Sequence, residues 1–440
     1  MSRFTVNIHD VSVDDGTLNF IMSGDQEYGL DKSLVNALRR VLLTDIPTVA
    51  FRTDEDIENK DIIMVNNQTS LHNEMLIHRV SMIPLYLEPD TFMKNYLFEC
   101  KVKHDTTDPF MFVTTNDFSI YPLNSGLRER LDNYHDDSIE TSLEDEKLLL
   151  DDLSIVKLDN YDLSAPLKQS DKDIILRPFV STSSILNKSK NYALITELKS
   201  SNSDGAHQEL HFYGSPSVST AREHARFQAV SQATYSYVID EHLREAALEH
   251  KISSEGIDSD IEAFSKKFRL AEGERYFKRD NEDEPNHYNF SIKSVNYYDP
   301  AMLFKKAIAI LIEKCNLLKS SFVHLLQEKE TTIDVERKEE HLYHFTLYDQ
   351  NHTLGNLIQS HVVRRSLNED SVLQLCGYKQ PHPLEDNIVL HISLNPNHEI
   401  IHEAETQKLQ LISTFFMDQL EEIMNDLKTL LDVAEEKLVQ

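Results

Sequence analysis

His398-Glu399-Ile400-Ile401-His402 is the pattern in this chain that most resembles catalytic machinery. On an α-helix, two histidines four apart share a face and can both ligate zinc, while the glutamate between them activates a water. Such a site needs a further ligand. Neither the glycine nor the third histidine of the extended motif follows, so Glu421 and Glu422 are the acidic candidates. On an unbroken helix rising about 1.5 Å per residue, Glu421 lies roughly 28 Å beyond His402 and cannot reach the same ion. The chain has 20 histidines, so a chance occurrence is unsurprising. Cys100, Cys315 and Cys376 stand too far apart for a CxxC clip and are too few for a disulfide framework. There is no glycine-rich phosphate loop, no convincing Ser/His/Asp order and no basic–aromatic stripe. The sequence therefore predicts no catalytic residue, no metal and no cofactor.

Bulk properties narrow the classes further. The formal net charge of −30 argues against a broad phosphate-binding surface, because non-specific nucleic-acid affinity comes from Lys and Arg displacing counterions. Any DNA contact is expected to be indirect, through partners, and basic protein surfaces fit better. The scarcity of cysteine suggests a reducing, intracellular compartment. The opening residues MSRFTVNIHD lack the apolar core of a signal peptide. No stretch approaches the roughly 20 apolar residues that cross a bilayer, so no membrane partner is expected.

The elements that must carry any function read as follows. Residues 4–22 alternate apolar and polar around Asp14-Asp15-Gly16, as a hairpin does. A helical stripe follows at Leu34, Leu38, Val41 and Leu42, with Ser33 as the expected N-cap. Residues 48–125 suggest mixed strands with one amphipathic piece near 76–80. Residues 131–165 are acid-rich and read as a solvated loop. Strands are expected at 173–180, 192–198 and 209–213, helices at 242–250 and 260–268, and a polar linker at 279–286. A strand follows at 288–292. Asp299-Pro300 then opens a helix with an apolar face of Leu303, Ala307, Ile310, Leu311, Leu317 and Leu318. After a polar stretch at 327–340 come a strand (342–347), a helix (353–363), strands (372–378 and 388–394) and a long helix over 399–436. That last helix places Leu420, Ile423, Leu427, Leu430 and Ala434 at spacings of three and four.

A duplication is visible within this order. Ser33-Leu34-Val35-Asn36-Ala37-Leu38 can be laid on Thr353-Leu354-Gly355-Asn356-Leu357-Ile358. Each begins with a hydroxyl residue at an expected N-cap and has asparagine at the expected third helical position. Each follows a strand, and each unit ends in a long amphipathic helix. A half-buried strand pair with one apolar helix cannot close its core alone, whereas two such halves can cover each other.

Several of these residues carry a resemblance. Asn36-Ala37-Leu38-Arg39-Arg40-Val41-Leu42-Leu43, with Ile46-Pro47-Thr48-Val49-Ala50 after it, resembles the signature helix of the alpha-type RNA polymerase subunits. These are the bacterial alpha subunit and the third-largest subunit of eukaryotic polymerase II. Ile77-His78-Arg79-Val80-Ser81-Met82-Ile83-Pro84-Leu85 is similar to the same subunit's "HR-x-G-x-IPL" segment, with Ser81 where the family has glycine. Glu223-His224-Ala225-Arg226 with Ala233-Thr234-Tyr235 is a weaker match to a late part of its insert. His352-Thr353-Leu354-Gly355-Asn356-Leu357-Ile358 and Gly377-Tyr378-Lys379-Gln380-Pro381-His382-Pro383-Leu384 resemble the small alpha-like subunit that pairs with it. Between Glu88 and Lys103 only Cys100 is present, so the family's cysteine-rich zinc loop has no counterpart.

The resemblance implies an α+β fold in which two alpha-like dimerisation domains form an intramolecular pseudo-dimer. The first would be residues 1–47 with 287–328, the second residues 329–440, and residues 48–286 a β-rich domain inserted in the first half. It implies a non-catalytic assembly subunit of a DNA-directed RNA polymerase. Its expected partners are the largest and second-largest polymerase subunits and other small ones. The large-subunit interface would include Asn36, Arg39, Arg40, His78, Arg79, His352, Thr353, Asn356, Tyr378 and His382. The paired helices would meet through Leu303, Ala307, Ile310, Leu311, Leu420, Ile423, Leu427 and Leu430. Fused arrangements of this kind resemble polymerases of large nucleocytoplasmic DNA viruses, which would place the protein in the host cytoplasm and virion; otherwise the nucleus is expected. The competing readings are the HExxH zinc protease and a generic acidic scaffold or chaperone.

Overall fold

The computed structural model describes residues 4–14, 16–26, 29–53, 61–92, 95–105, 108–123, 165–180, 190–200, 207–255, 260–295, 297–367 and 371–438. The acid-rich stretch expected at 131–165 lies outside them apart from its last residue. The described residues form two compact units, one of 1–46, 230–294 and 299–440, the other of 47–229 and 295–298.

The first unit is built twice over. Its first half has strands β1 (Val6–Asp14) and β2 (Thr17–Gly24), helix α1 (Lys32–Thr44), strand β3 (Val230–Tyr237), helices α2 (Glu241–Glu255) and α3 (Ile261–Ala271), strand β4 (His287–Ser294) and helix α4 (Pro300–Leu326). Its second half has β5 (Ile333–Arg337), β6 (Leu342–Tyr348), α5 (His352–Arg365), β7 (Leu373–Lys379), β8 (Asn387–Leu394) and α6 (Glu405–Lys437). The sheet orders are β1-β2-β4-β3 and β5-β6-β8-β7, antiparallel throughout. Each half is therefore two strands, a helix, two more strands inserted fourth-before-third, and a long helix. Residues 31–40 and 351–360 follow the same sequence of buried, half-buried and exposed positions, residue for residue. The β1–β2 turn uses Gly16 at φ +69°, a left-handed conformation that glycine adopts without penalty.

Period-two alternation points Leu18, Phe20 and Met22 of β2 and Tyr288, Phe290 and Ile292 of β4 into the first core. Phe20 stacks on Phe290 and meets Phe304 of α4 edge-on, with centroids 5.6 and 5.0 Å apart. In the second half, Tyr343, Phe345 and Leu347 of β6 and Leu390, Ile392 and Leu394 of β8 do the same. The structure thus has the α+β pseudo-dimer architecture expected of two alpha-like domains.

Several local expectations change. The cap of α1 is Asp31, whose carboxylate accepts from Ser33 N at 2.9 Å, and the cap of α5 is Asn351, which accepts from Thr353 N at 2.9 Å. Ser33 and Thr353 are second residues of their helices, and Asn36 and Asn356 are fifth. Both shifts are equal, so the duplication stands. Residues 169–176 form a helix, not the first part of a strand, because Lys172, Ile175 and Leu176 are buried at spacings of three and one. On α4 the buried line is Phe304, Ile308, Leu311, Cys315, Leu318 and Phe322; Ile310 is only half-buried and Leu317 is exposed. The expected insert was too long. Strand β3, with α2 and α3, belongs to the first unit, because β3 is laddered to β4 from Val230–Ser294 to Tyr237–Tyr288.

The other unit is β-rich. Its largest sheet orders Ile62–Asn67, Glu209–Gly214, Tyr96–Lys103 and Phe118–Pro122 side by side. Phe98 meets Phe51 and Phe118 edge-on in its core. Across this sheet His211 bonds Glu99 at 3.1 Å, which holds the Glu99 carboxyl below the usual carboxylate range despite burial. Arg52 and Glu223 pair through two bonds of 2.7 and 2.8 Å, and Arg226 donates to Phe51 O at 3.1 Å, so the Glu223–Arg226 segment is structural within this unit.

Candidate docking interface

Helices α1 and α5 run antiparallel across the seam between the halves: Arg40 lies beside Thr353 near one end, and Asp31 beside Arg364 near the other. Arg40 Nε donates to Thr353 Oγ1 at 2.9 Å. Arg364 reaches from α5 into a pocket of three first-half carboxylates. It bonds Asp280 at 2.7 Å and Glu282 at 3.1 Å and lies 4.0 Å from Asp31. Asp280 is almost fully buried. Its other oxygen accepts from the backbone of Glu282 and Glu284, which folds 280–284 into a turn. Close by, Asn286 accepts from Leu30 N at 2.7 Å and donates to Asp25 O at 2.6 Å and Gly24 O at 3.1 Å. The stretch read as a polar linker is therefore a fixed part of the seam. Its signal was faint: one Asp, one Asn and an Arg beyond the end of the apolar stripe.

The long helices complete the pairing. Leu303, Ala307 and Leu311 of α4, and Leu420, Ile423, Leu427 and Leu430 of α6, are all buried. Phe322 of α4 lies flat on Phe416 of α6, with centroids 5.8 Å apart and planes within 5°, and Lys319 bonds Glu421 at 2.8 Å. Within each half an ion pair ties the short helix to the long one, with the charges exchanged. Asp45, after α1, pairs with Lys314 of α4 at 2.6 Å; Arg365, ending α5, pairs with Asp426 of α6 at 2.5 Å. A long helix docked on the wrong half would place Asp426 near Asp45, so the exchange disfavours misassembly.

The residues expected to face large partners are divided between the two units. Arg40, half-buried, commits its Nε to Thr353 across the seam. Arg39 and Asn36 bond at 3.1 Å and line an open cleft with Thr234, Tyr235, Tyr237 and Glu274. His352 Nδ1 lies 3.2 Å from the Tyr378 hydroxyl, whose pKa burial pushes up, and Asn356 is half-buried on the same helix. His382 sits in the β7–β8 turn, where its ring accepts from Leu384 N; the Leu384 side chain is 90% exposed. His78 and Arg79 lie in the other unit, exposed on the helix Asn73–Ser81, and Arg79 donates to Leu194 O at 3.2 Å. Ser81 closes that helix, donating to His78 O at 2.7 Å.

Gly355 shows why α5 carries glycine where α1 carries Val35. A Cβ there would stand 2.6 Å from the Tyr378 ring and 3.0 Å from Ile388. Gly355→Ala should therefore destabilise the fold, since overpacking of about 1–3 kcal/mol exceeds the ~1 kcal/mol of helix propensity gained. Thermal unfolding would show a lowered midpoint, and Tyr378→Ala in the same chain should restore part of it.

The HExxH motif lacks its helix. Residues Glu399–His402 form one 3-10 turn capped by His398, whose ring accepts from Ile400 N at 3.2 Å, and α6 begins only at Glu405. The two histidines are thus not on one α-helical face, and His398 uses a ring nitrogen for capping. The physical reason is local: the cap competes with the backbone bonds an α-helix would need. Among the described residues no group of three or more His, Cys, Asp or Glu is arranged to hold a metal ion.

The RNA polymerase Rpb3/Rpb11 dimerisation domain family matches this chain twice, over residues 26–315 and over residues 343–437. The DNA-directed RNA polymerases I and III subunit RPAC1 of Mus musculus is 32% identical over 93 residues, covering 21% of this chain and 23% of that protein. The DNA-directed RNA polymerase subunit Rpo3 of Pyrobaculum aerophilum is 42% identical over 57 residues, covering 13% and 19%. The chain spans about a fifth of the length of these relatives in the matched stretches. With two copies of one strand order, paired through equivalent helices and matched by the family model across most of its length, the chain belongs to the RNA polymerase Rpb3/Rpb11 dimerisation domain family and carries two such domains in tandem.

Proposed function

We propose that this chain is a fused pair of alpha-type subunits, a third-largest-type half joined near residues 328–329 to a small alpha-like half, and that it serves as a non-catalytic assembly subunit of a multisubunit DNA-directed RNA polymerase. The carrying observation is that both halves of an Rpb3/Rpb11-type pair lie in one chain and already cover each other's helices. Tethering makes pairing intramolecular, at a raised effective concentration, so less association entropy is lost when the platform forms. The two largest subunits dock on surfaces the pairing leaves open. These are the Asn36–Arg39 cleft, the His352–Tyr378–Asn356 face, and the turn of His382 and Leu384, with His78 and Arg79 contributing from the β-rich unit. Arg39 lines the open cleft, and Arg40 commits only its Nε to Thr353; the planar fork of either suits interface carboxylates and carbonyls. DNA is reached only through the complex. A viral polymerase acting in the host cytoplasm and packaged in the virion is the source that fits a fused pair.

Tagged chain should bring down the two largest polymerase subunits from its native cells, and Arg39→Glu should release them while its unfolding midpoint stays unchanged. Failure of the unaltered chain to retain either subunit would overturn the assembly role and favour an acidic scaffold unrelated to transcription.

A further inference from the structure

His344 on β6 and His391 on β8 stand directly opposite each other on the two central strands of the second half's sheet. Their chain neighbours Tyr343, Phe345, Leu390 and Ile392 are buried, so alternation puts both imidazoles on the sheet's outer face. The rings are near-perpendicular, at 87°, with centroids 4.2 Å apart, and His391 Nδ1 lies 2.8 Å from His344 Nε2. Nitrogens that close share one hydrogen at most, so at least one ring is neutral. Burial lowers the pKa of both rings; Lys338 and Lys379 lower His344 further, against a smaller opposing pull from Glu336, and His344 and Lys379 lower His391. Both are therefore neutral, as ligands must be, near pH 7. The same cross-strand row continues to Glu336 on β5, opposite His344, and to Gly377 on β7, opposite His391. Glu336 is held by Lys338. At Gly377 an added Cβ would meet nothing within 4 Å, so the space beside His391 is open.

We propose that His344 and His391 form a cross-strand chelate for a divalent transition ion of the Zn2+ or Ni2+ type, with water completing the shell and the Glu336 carboxylate nearby as a compensating charge. Imidazole pairs favour such borderline ions over Mg2+ or Ca2+. Metal–nitrogen bonds of 2.0–2.1 Å at tetrahedral angles place the two nitrogens roughly 3.3 Å apart, so the rings must part by about half an ångström and turn until both lone pairs meet at the ion. The hydrogen now between them moves to the donating ring's other nitrogen, so neutral rings bind the ion without net proton release. The bound ion staples β6 to β8 and stabilises the folded state by mass action.

The test is calorimetric titration of the full chain with NiCl2 or ZnCl2, beside His344→Ala, His391→Ala and Glu336→Gln. We expect one saturable site that weakens at least about tenfold when either histidine is removed and less when Glu336 is changed. It should also weaken from about pH 7.5 to about pH 5.5, as the imidazoles protonate. The ion should raise the unfolding midpoint of the unaltered chain and not of the histidine variants. His344→Gln, which keeps a polar side chain of similar reach, serves should His344→Ala lose its fold. Absence of binding at submillimolar ion, or binding and thermal shift unchanged without both histidines, would overturn the proposal.

Discussion

Replacing Arg364 with methionine should destabilise the paired halves by about 3–5 kcal/mol, the range for leaving a buried charge without its partner. Arg364 is the sole second-half cation among the described ion pairs that reaches Asp280, Glu282 and Asp31. Asp280 cannot turn to water for compensation. Its side chain is 2% exposed, one oxygen is committed to the 280–284 turn, and the other lies where a Cβ on Gly29 would stand, 2.4 Å away. Methionine keeps the aliphatic stem and removes the fork, so packing changes least while charge compensation is lost. Arg364→Lys should recover only part of the loss, because an ammonium cannot bond two carboxylates in one plane. Urea unfolding measures both, and Asp280→Asn added to Arg364→Met should recover stability, since it removes the stranded charge. An additive double variant would show that the two side chains are not coupled.

Phe416→Ala is the second large effect, expected to reduce stability by about 3–5 kcal/mol. Phe416 is fully buried. It stacks on Phe322 from the first half's long helix and lies 6.4 Å from Phe345 of the second half's sheet. Truncation leaves a cavity bounded by both halves, and neither can collapse into it without disturbing its own sheet. The control is Leu317→Ala on α4, whose side chain is 61% exposed; it should change the unfolding midpoint little. Comparable losses from the two substitutions would mean that α4 and α6 do not pair through the Phe322–Phe416 contact.

The exchanged ion pairs bear on how a duplicated chain avoids assembling wrongly. Two halves of the same fold present similar apolar stripes, and those stripes do not say which long helix belongs to which sheet. Asp45–Lys314 and Arg365–Asp426 supply that discrimination, because each wrong combination sets like charges together at a partly buried site.

Much of this was legible in the residues themselves. Periodicity of two placed β1, β2, β4, β6, β7 and β8 but not β3, nor β5, which lies in the stretch read as polar; periodicity of 3.6 placed α1, α4, α5 and α6, and Asp299-Pro300 marked the start of α4, where Asp299 does accept from Ala301 N. The repeat was legible because both copies must bury one helix stripe, and the burial sequence at 31–40 and 351–360 preserves it. Local chemistry alone left some choices open. Asp31 and Ser33 are both good caps, and burial of Ser33 decided between them. HExxH suits a helix or a capped turn, and the His398 ring decided for the turn. Residues 230–237 were placed in the insert and not read as a strand, because their partner β4 lies some fifty residues further on, beyond the reach of any window-based pattern.

The sequence by itself determined two domains of one kind, because the apolar spacing of each half is a property of consecutive residues. Only the tertiary structure decided which polar residues join them. Arg364 meets Asp280 across 84 residues, and Arg40 meets Thr353 across 313. Charge carries no periodicity from which such partners could be read, and a buried carboxylate is recognisable only once the chain has folded around it.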